Sequence, residues 1–474
     1  MSEQQSAPHH VKWSSRTAFL MASIGAAVGL GNLWRFPYIA GENGGGAFVL
    51  IYIAFILTLG IPLIMAELAL GRAGKMSAIG TMTKMVRQGH SPFWKLIGWL
   101  SILVPLMGLT YYSVVAGWSL DYITKALSGS FAGIDAAGSG AMFNGLLESW
   151  PRLTLWHTVY MISVIIIISM GVKAGLESTV KIMMPGLFIL LIFLSAYAMY
   201  TGKGAQAVNF LFSPDFSKVT AHTVLVALGQ ALFSLGIGVG ALITYGAYLP
   251  DDVSLPKAAG IIAVADTLVA LLAGFMIFPI VFQYNLVPGE GPGLIFATLP
   301  IAFGQMPGGM IFGIMFFLLL TFAAFTSSLA MLEPAISWFE DKGTSRKLTS
   351  WITGGAAWAV GLLMLLSFNV LSDFKPLSFI AALADKNLFG IMDFVVANIM
   401  LPINALLLAL FAGWAMSRKM ISEQINFPLG SRGFLSWQFS TKYIAPIAIG
   451  IVVYMMIFGD PVDHITRLVT AISG

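Results

Sequence analysis

The chain has 474 residues, of which 58% are hydrophobic and 10% charged, with a formal net charge of +4. A soluble domain carries about 25% charged residues, so this composition excludes an ordinary globular fold, and the small positive excess describes loops facing a membrane rather than a nucleic-acid surface. There is no cysteine, which removes disulfides, thiolate metal sites and cysteine nucleophiles.

Long apolar runs recur along the chain, and in lipid only a helix satisfies its own backbone amides. A polar start, Met1 to Arg16, precedes the first run, a pattern unlike a cleavable signal peptide. Eleven spanning helices are expected, over 15–38, 45–70, 93–125, 155–171, 178–200, 222–249, 258–286, 308–339, 348–367, 391–415 and 441–459. Basic residues gather on alternate connections, for example Arg72, Lys75, Lys84, Arg87 and Lys95 after helix two, and Lys342, Arg346 and Lys347 after helix eight. This bias places the N-terminus in the cytoplasm of a multi-pass plasma-membrane protein.

Glycine clusters interrupt two of the runs. Helix one reads Gly25-Ala-Ala-Val-Gly29-Leu-Gly31-Asn32, and helix six reads Ser234-Leu-Gly236-Ile-Gly238-Val-Gly240. Glycine in a membrane helix often serves close packing alone. Here the two clusters occupy matching members of two five-helix halves, which points to an inverted-repeat transporter with unwound helices at its centre. Unwinding exposes carbonyls to a cation and leaves a half-helix N-terminus for a carboxylate. The chain divides accordingly into an N-terminal segment 1–14, repeats 15–200 and 201–415, and a remainder 416–474 with a cytoplasmic loop, helix eleven and a short C-terminus.

The stretch from Gly25 to Pro37 and the following Glu42-Asn-Gly-Gly-Gly-Ala-Phe48 resemble the neurotransmitter:sodium symporter family, most closely its bacterial amino-acid members. The resemblance continues through Tyr111-Tyr112, Gln230 to Tyr248, Thr326-Ser-Ser328 and Glu333-Pro334. It implies an all-α polytopic protein with the leucine-transporter-type five-plus-five inverted repeat, broken helices one and six, and alternating access around a central site. The partners it implies are an amino acid and membrane lipid, with no nucleic acid and no obligate protein partner evident.

By the same resemblance, sodium site 1 would comprise the Ala27 carbonyl, Asn32, Ser234 and Asp266, where the family more often has asparagine at the position of Asp266. Site 2 would comprise the carbonyls of Gly25, Val28 and Ala323 with the hydroxyls of Thr326 and Ser327. Oxygen donors with a single charge suit an alkali cation. The resemblance implies two sodium ions. Chloride-dependent relatives carry a serine at the position of Ala270, so chloride-independent transport is expected, with Asp266 supplying the negative charge. Adjacent hydroxyls such as Thr326 and Ser327 also commonly bond their own i−4 carbonyls, with no ion involved.

Monoamine-carrying relatives place an aspartate at the position of Gly29, so a substrate with its own carboxylate is implied, met by Leu30, Gly31, Tyr112 and the first sodium. Its amino group would meet carbonyls around Ala27, Phe233 and Ser234. The side-chain pocket would be lined by Ala26, Gly108, Gly236, Val239, Ser327 and Met331 beneath Phe233. Gly108 and Val239 are smaller than their counterparts in the leucine-binding relative, which suggests a bulky apolar or aromatic amino acid; a small, β- or γ-amino acid is the alternative if neighbouring helices close the gap.

The resemblance also makes Arg35 and Asp393 the external gate, and Trp13, Tyr248 and Asp341 an internal latch. His10 stands there in place of the family's arginine, with Lys12 and Arg16 nearby, and would make closure pH-dependent. Glu67 and Glu333 are read as protonated or bonded to helix carbonyls. Three rivals remain: a channel, a proton-coupled transporter of the same fold, and a membrane enzyme using Glu42, Glu67, Asp266 or Glu333. Enzymatic function is not expected, since no metal-ligand spacing, nucleophile motif or phosphate loop accompanies those acids.

Overall fold

A computed structural model describes residues 12–250, 252–286 and 293–458. These are helical, with no strand among the described residues. Eight helices are long and apolar enough to cross a bilayer: Gly46–Gly74, Pro92–Leu127, Trp150–Ser169, Val172–Thr201, Leu255–Gln283, Gly309–Asp341, Arg346–Leu366 and Leu388–Ala415. They are spans 2, 3, 4, 5, 7, 8, 9 and 10. Span 1 is a pair, Arg16–Ala27 and Gly31–Glu42, bent by 52° at the break. Span 6 is Ala221–Ser234 followed by Ala241–Ala247, and span 11 covers 432–458. Each of the eleven expected segments is thus helical over most of its described residues, with interruptions at 28–29 in span 1 and 235–240 in span 6.

Proline shapes these helices locally. Seven π-helical stretches occur among the described residues, and five of them end two residues before a proline: Gly31–Arg35, Ile56–Gly60, Leu294–Thr298, Val395–Met400 and Ser440–Ile444 precede Pro37, Pro62, Pro300, Pro402 and Pro446. The ring lacks an N–H and crowds the carbonyl four residues back, so the preceding turn widens instead of closing normally.

Spans 3 and 8 lie side by side, and spans 4 and 9 pack against both; spans 1, 2, 6 and 7 form a second group that leans on span 8. The two breaks therefore face the spine formed by spans 3 and 8. In span 6 the break is enforced by Gly236, Gly238 and Gly240, whose φ values of +62°, +86° and +84° lie in the left-handed region. A Cβ at Gly240 would lie 2.3 Å from that of Ser101. No other residue fits there.

The unwound peptide groups need partners, since lipid supplies none. The Gly238 N–H donates to the Glu67 carboxylate at 2.7 Å, and its carbonyl accepts from Asn404 at 2.7 Å. Of the two readings expected for Glu67, protonated or bonded to helix carbonyls, the second is corrected: the side chain accepts from, and thereby holds, the break in span 6.

Candidate functional site

In span 1 the ladder fails at Val28, whose ψ of 113° is extended. The Gly29 N–H, which in a continuous helix would bond the Gly25 carbonyl, turns instead to the Asn32 side-chain oxygen at 3.0 Å. The Asn32 amide nitrogen then sits in a cage of oxygens: 2.9 Å from Ser234 Oγ, 3.2 Å from the Asp266 carbonyl and 2.7 Å from Asp266 Oδ1. Ser234 donates to Asp266 Oδ2 at 2.6 Å, and the Tyr52 hydroxyl donates to the same cluster. Three of the four residues expected at sodium site 1 are bonded together, and Ala27 lies at the break beside them.

Asp266 is fully buried, and the side chains it bonds, Asn32, Tyr52 and Ser234, are neutral. A buried carboxylate without a countercharge is strongly unfavourable, and intramembrane acids are normally paired. The donor set, one carboxylate with amide and hydroxyl oxygens, fits a monovalent hard cation. No cluster of three or more His, Cys, Asp or Glu capable of holding a multivalent metal occurs among the described residues.

The residues expected at sodium site 2 also converge. Ser327 Oγ lies 3.3 Å from the Gly25 carbonyl, 3.0 Å from that of Val28 and 3.1 Å from that of Ala323. One hydroxyl proton serves one acceptor fully, so these three carbonyls present more negative potential than Ser327 can satisfy. Thr326 shares its hydroxyl between the Phe322 and Ala323 carbonyls, each at 3.2 Å, the self-bonded arrangement common in membrane helices.

Between the two clusters lies a cavity of about 420 Å³, lined by all twelve residues expected to contact substrate: Ala26, Ala27, Leu30, Gly31, Gly108, Tyr112, Phe233, Ser234, Gly236, Val239, Ser327 and Met331. One wall is polar. There the Leu30 N–H donates to the Tyr112 hydroxyl at 3.3 Å, next to the Asn32 cluster. At Gly29 a Cβ would stand 2.9 Å from Ser327 Oγ and 3.0 Å from the Tyr112 hydroxyl, so any larger residue must displace these two hydroxyls where spans 1, 3 and 8 meet. The opposite wall is apolar and roomy: a Cβ at Gly108 would touch only Val396, at 3.7 Å.

Arg35 and Asp393 both line the outer part of the cavity, without a direct ion pair among the described residues. The Arg35 guanidinium instead sits 4.3 Å above the Phe233 ring, and Tyr111 faces Asp393. Such stacked cations contribute modestly.

At the inner end Trp13 is buried; its indole donates to the Tyr245 carbonyl at 3.0 Å and its ring packs on Tyr245 and Tyr248. Tyr248 donates to Glu333 at 2.9 Å, and Asp341 accepts from the Ser77 N–H at 2.9 Å. His10 lies outside the described residues. Glu333 departs from the expectation of a protonated or carbonyl-bonded acid: it forms a buried ion pair with Arg346, which also reaches Glu340 at 3.2 Å. Ser14 bonds the buried Glu177 through both its N–H and its hydroxyl, tying the chain before span 1 to the π-helical start of span 5.

Sequence reasoning passed over Tyr52, Glu177 and Arg346. A tyrosine buried in span 2 carries one usable signal, because its hydroxyl must find a partner in a medium that offers none. The pairs of Ser14 with Glu177 and of Arg346 with Glu333 join separate helices and leave no local pattern.

A helical bundle with two interrupted helices enclosing a cavity at their breaks is the architecture of a secondary transporter. The chain belongs to the sodium:neurotransmitter symporter family, whose model matches residues 10–135 and 145–464. It is similar to the uncharacterized sodium-dependent transporter YhdH of Bacillus subtilis, at 38% identity over 97% of this chain and 99% of that one. It is also similar to the sodium-dependent serotonin transporter of Drosophila melanogaster, at 27% identity over 94% of this chain and 74% of that one. The crystal structure of MhsT in complex with L-phenylalanine superimposes with a TM-score of 0.86 at 38% identity, covering 95% of this chain and all of that one. The protein is therefore a sodium-dependent transporter with the expected leucine-transporter-type fold.

Proposed function

We propose that this transporter carries a bulky apolar or aromatic amino acid into the cell with two sodium ions, by alternating access and without chloride. The observation that carries the reading is the polarity of the central cavity. Its polar wall, where Tyr112 meets the Leu30 N–H, adjoins the Asn32–Ser234–Asp266 cluster, while the wall at Gly108 leaves room for a large side chain. A carboxylate on the polar wall would complete the donor set around a sodium held by Ala27, Asn32, Ser234 and Asp266. A second sodium would be held by Gly25, Val28, Ala323, Thr326 and Ser327, joining the break in span 1 to span 8. The L-phenylalanine in the MhsT complex supports the same substrate class.

Each ion is worth about 2.3 kcal/mol at 100 mV, with ~1.4 kcal/mol more per tenfold gradient, so two ions supply roughly 7.4 kcal/mol. Arg35, Asp393 and Phe233 would close the outer path, and Trp13, Tyr248 and Asp341 the inner one, with the N-terminus cytoplasmic. Asp266 supplies the buried negative charge, and Ala270 offers no hydroxyl to a chloride ion.

A panel of labelled amino acids taken up by proteoliposomes tests this, with sodium or choline outside and chloride or gluconate as the anion. Strong uptake of phenylalanine, tyrosine or tryptophan in sodium gluconate is expected. Preference for glycine or GABA, or collapse in gluconate, would reject the reading.

A further inference from the structure

We propose that a groove at the end of the bundle bearing the start of span 1 binds the headgroup of an anionic phospholipid. The groove measures about 460 Å³ and lies between the amphipathic helix Ala78–Arg87 and the adjacent ends of spans 3 and 8. Its rim carries Lys84, Arg87 and Lys342 against a single acid, Asp341, which already accepts from the Ser77 N–H. Two of the three donors of Lys84 are used on the Ala73 and Gly74 carbonyls, which cap span 2. Arg87 and Lys342 are exposed. The Lys342 ammonium lies 3.7 Å over the Trp338 ring, which fixes its position at the groove edge.

The apolar part of the lining is Met76, Ile79, Trp99 and Trp338, with Ile79 and Trp338 packed onto Ile102 and Ala335 in a small separate cluster. A basic rim over an apolar floor fits an amphiphile better than a free anion. The groove also continues toward the bilayer: Trp99, which packs edge-on against Trp338, begins a lipid-facing stripe with Leu103 on the next turn of span 3. Tryptophan at such depth marks the headgroup level, and the basic-residue bias assigns this end to the cytoplasmic leaflet, where anionic lipids attract juxtamembrane cations. A phosphate between Arg87 and Lys342 would place its acyl chain along that stripe.

The test is native mass spectrometry of the delipidated full-length protein with phosphatidylglycerol or phosphatidylcholine at matched concentrations. The wild type should retain phosphatidylglycerol in preference by roughly thirtyfold, as two interfacial basic groups would provide. R87A/K342A should lose the preference, while R87K/K342R keeps it; a thermal melt of each variant reports folding independently. Equal retention of both lipids by the wild type, an unchanged preference in R87A/K342A, or loss of retained phosphatidylglycerol on adding millimolar inorganic phosphate would overturn the proposal. None of these outcomes depends on which substrate is carried.

Discussion

Asn32 of span 1 and Asp266 of span 7 meet at 2.7 Å, 234 positions apart in the chain, with Ser234 of broken span 6 bonded to both. The contact draws the two unwound helices onto one buried carboxylate. Replacing that charge by an amide keeps the shape and removes the attraction for a cation. In Asp266→Asn the half-saturating sodium concentration for uptake is expected to rise by about 10–150-fold, as for a lost charged interaction of ~1.5–3 kcal/mol. Sodium-activation curves in proteoliposomes would check it, and an unchanged curve would remove Asp266 from the ion site.

Gly29 is held where spans 1, 3 and 8 converge, and a methyl group there would have to displace the Ser327 and Tyr112 hydroxyls. Overpacking at such a point costs about 1–3 kcal/mol, so Gly29→Ala is expected to weaken substrate binding by roughly 5–150-fold. Scintillation proximity binding measures this directly. Retained thermal stability in the same preparation would separate loss of the site from loss of the fold.

Gly108 controls volume, because a Cβ there meets only Val396. Gly108→Leu fills the apolar wall without touching the polar one. Uptake of tryptophan and phenylalanine is expected to fall by at least about tenfold relative to alanine, in the range that methylene-sized changes produce in apolar pockets. Competition assays would show the shift, and a uniform loss for all substrates would mean that the wall does not set selectivity.

The pair of Glu333 with Arg346 joins spans 8 and 9 beneath Tyr248. Glu333→Gln leaves the guanidinium with Glu340 as its remaining carboxylate. Breaking a buried pair from one side destabilises by about 3–5 kcal/mol, an upper figure here because the Arg346 side chain keeps 12% exposure. A lower melting midpoint is expected in a thiol-independent fluorescence melt, with Glu333→Gln/Arg346→Gln recovering part of the loss.

The outline of this architecture was readable from apolar runs, because lipid leaves helix as the only choice, and the two breaks from glycine clusters that lipid alone would not favour. The prolines that widen spans 1, 2, 10 and 11 were equally visible as letters, although their effect on the preceding turn is seen only in the folded chain. The motif around Asn32 led to the cluster of Ser234 and Asp266, and Gly29 and Gly108 to the cavity. What stayed hidden depends on tertiary pairing. Glu67 holds Gly238 across 171 positions, and Ser14 holds Glu177 across 163. An acid in a membrane helix announces that a partner exists without saying which. Arg346 looked like one more basic residue at a helix start, and only packing makes it the counterion of Glu333.

Sodium-driven accumulation is the most direct test of the central claim. Proteoliposomes with an inward sodium gradient and a negative interior should concentrate labelled phenylalanine above its external level, with a sodium Hill coefficient approaching 2 and collapse of the pool on adding a sodium ionophore. Equal accumulation in choline medium, or accumulation driven by a pH gradient alone, would contradict it.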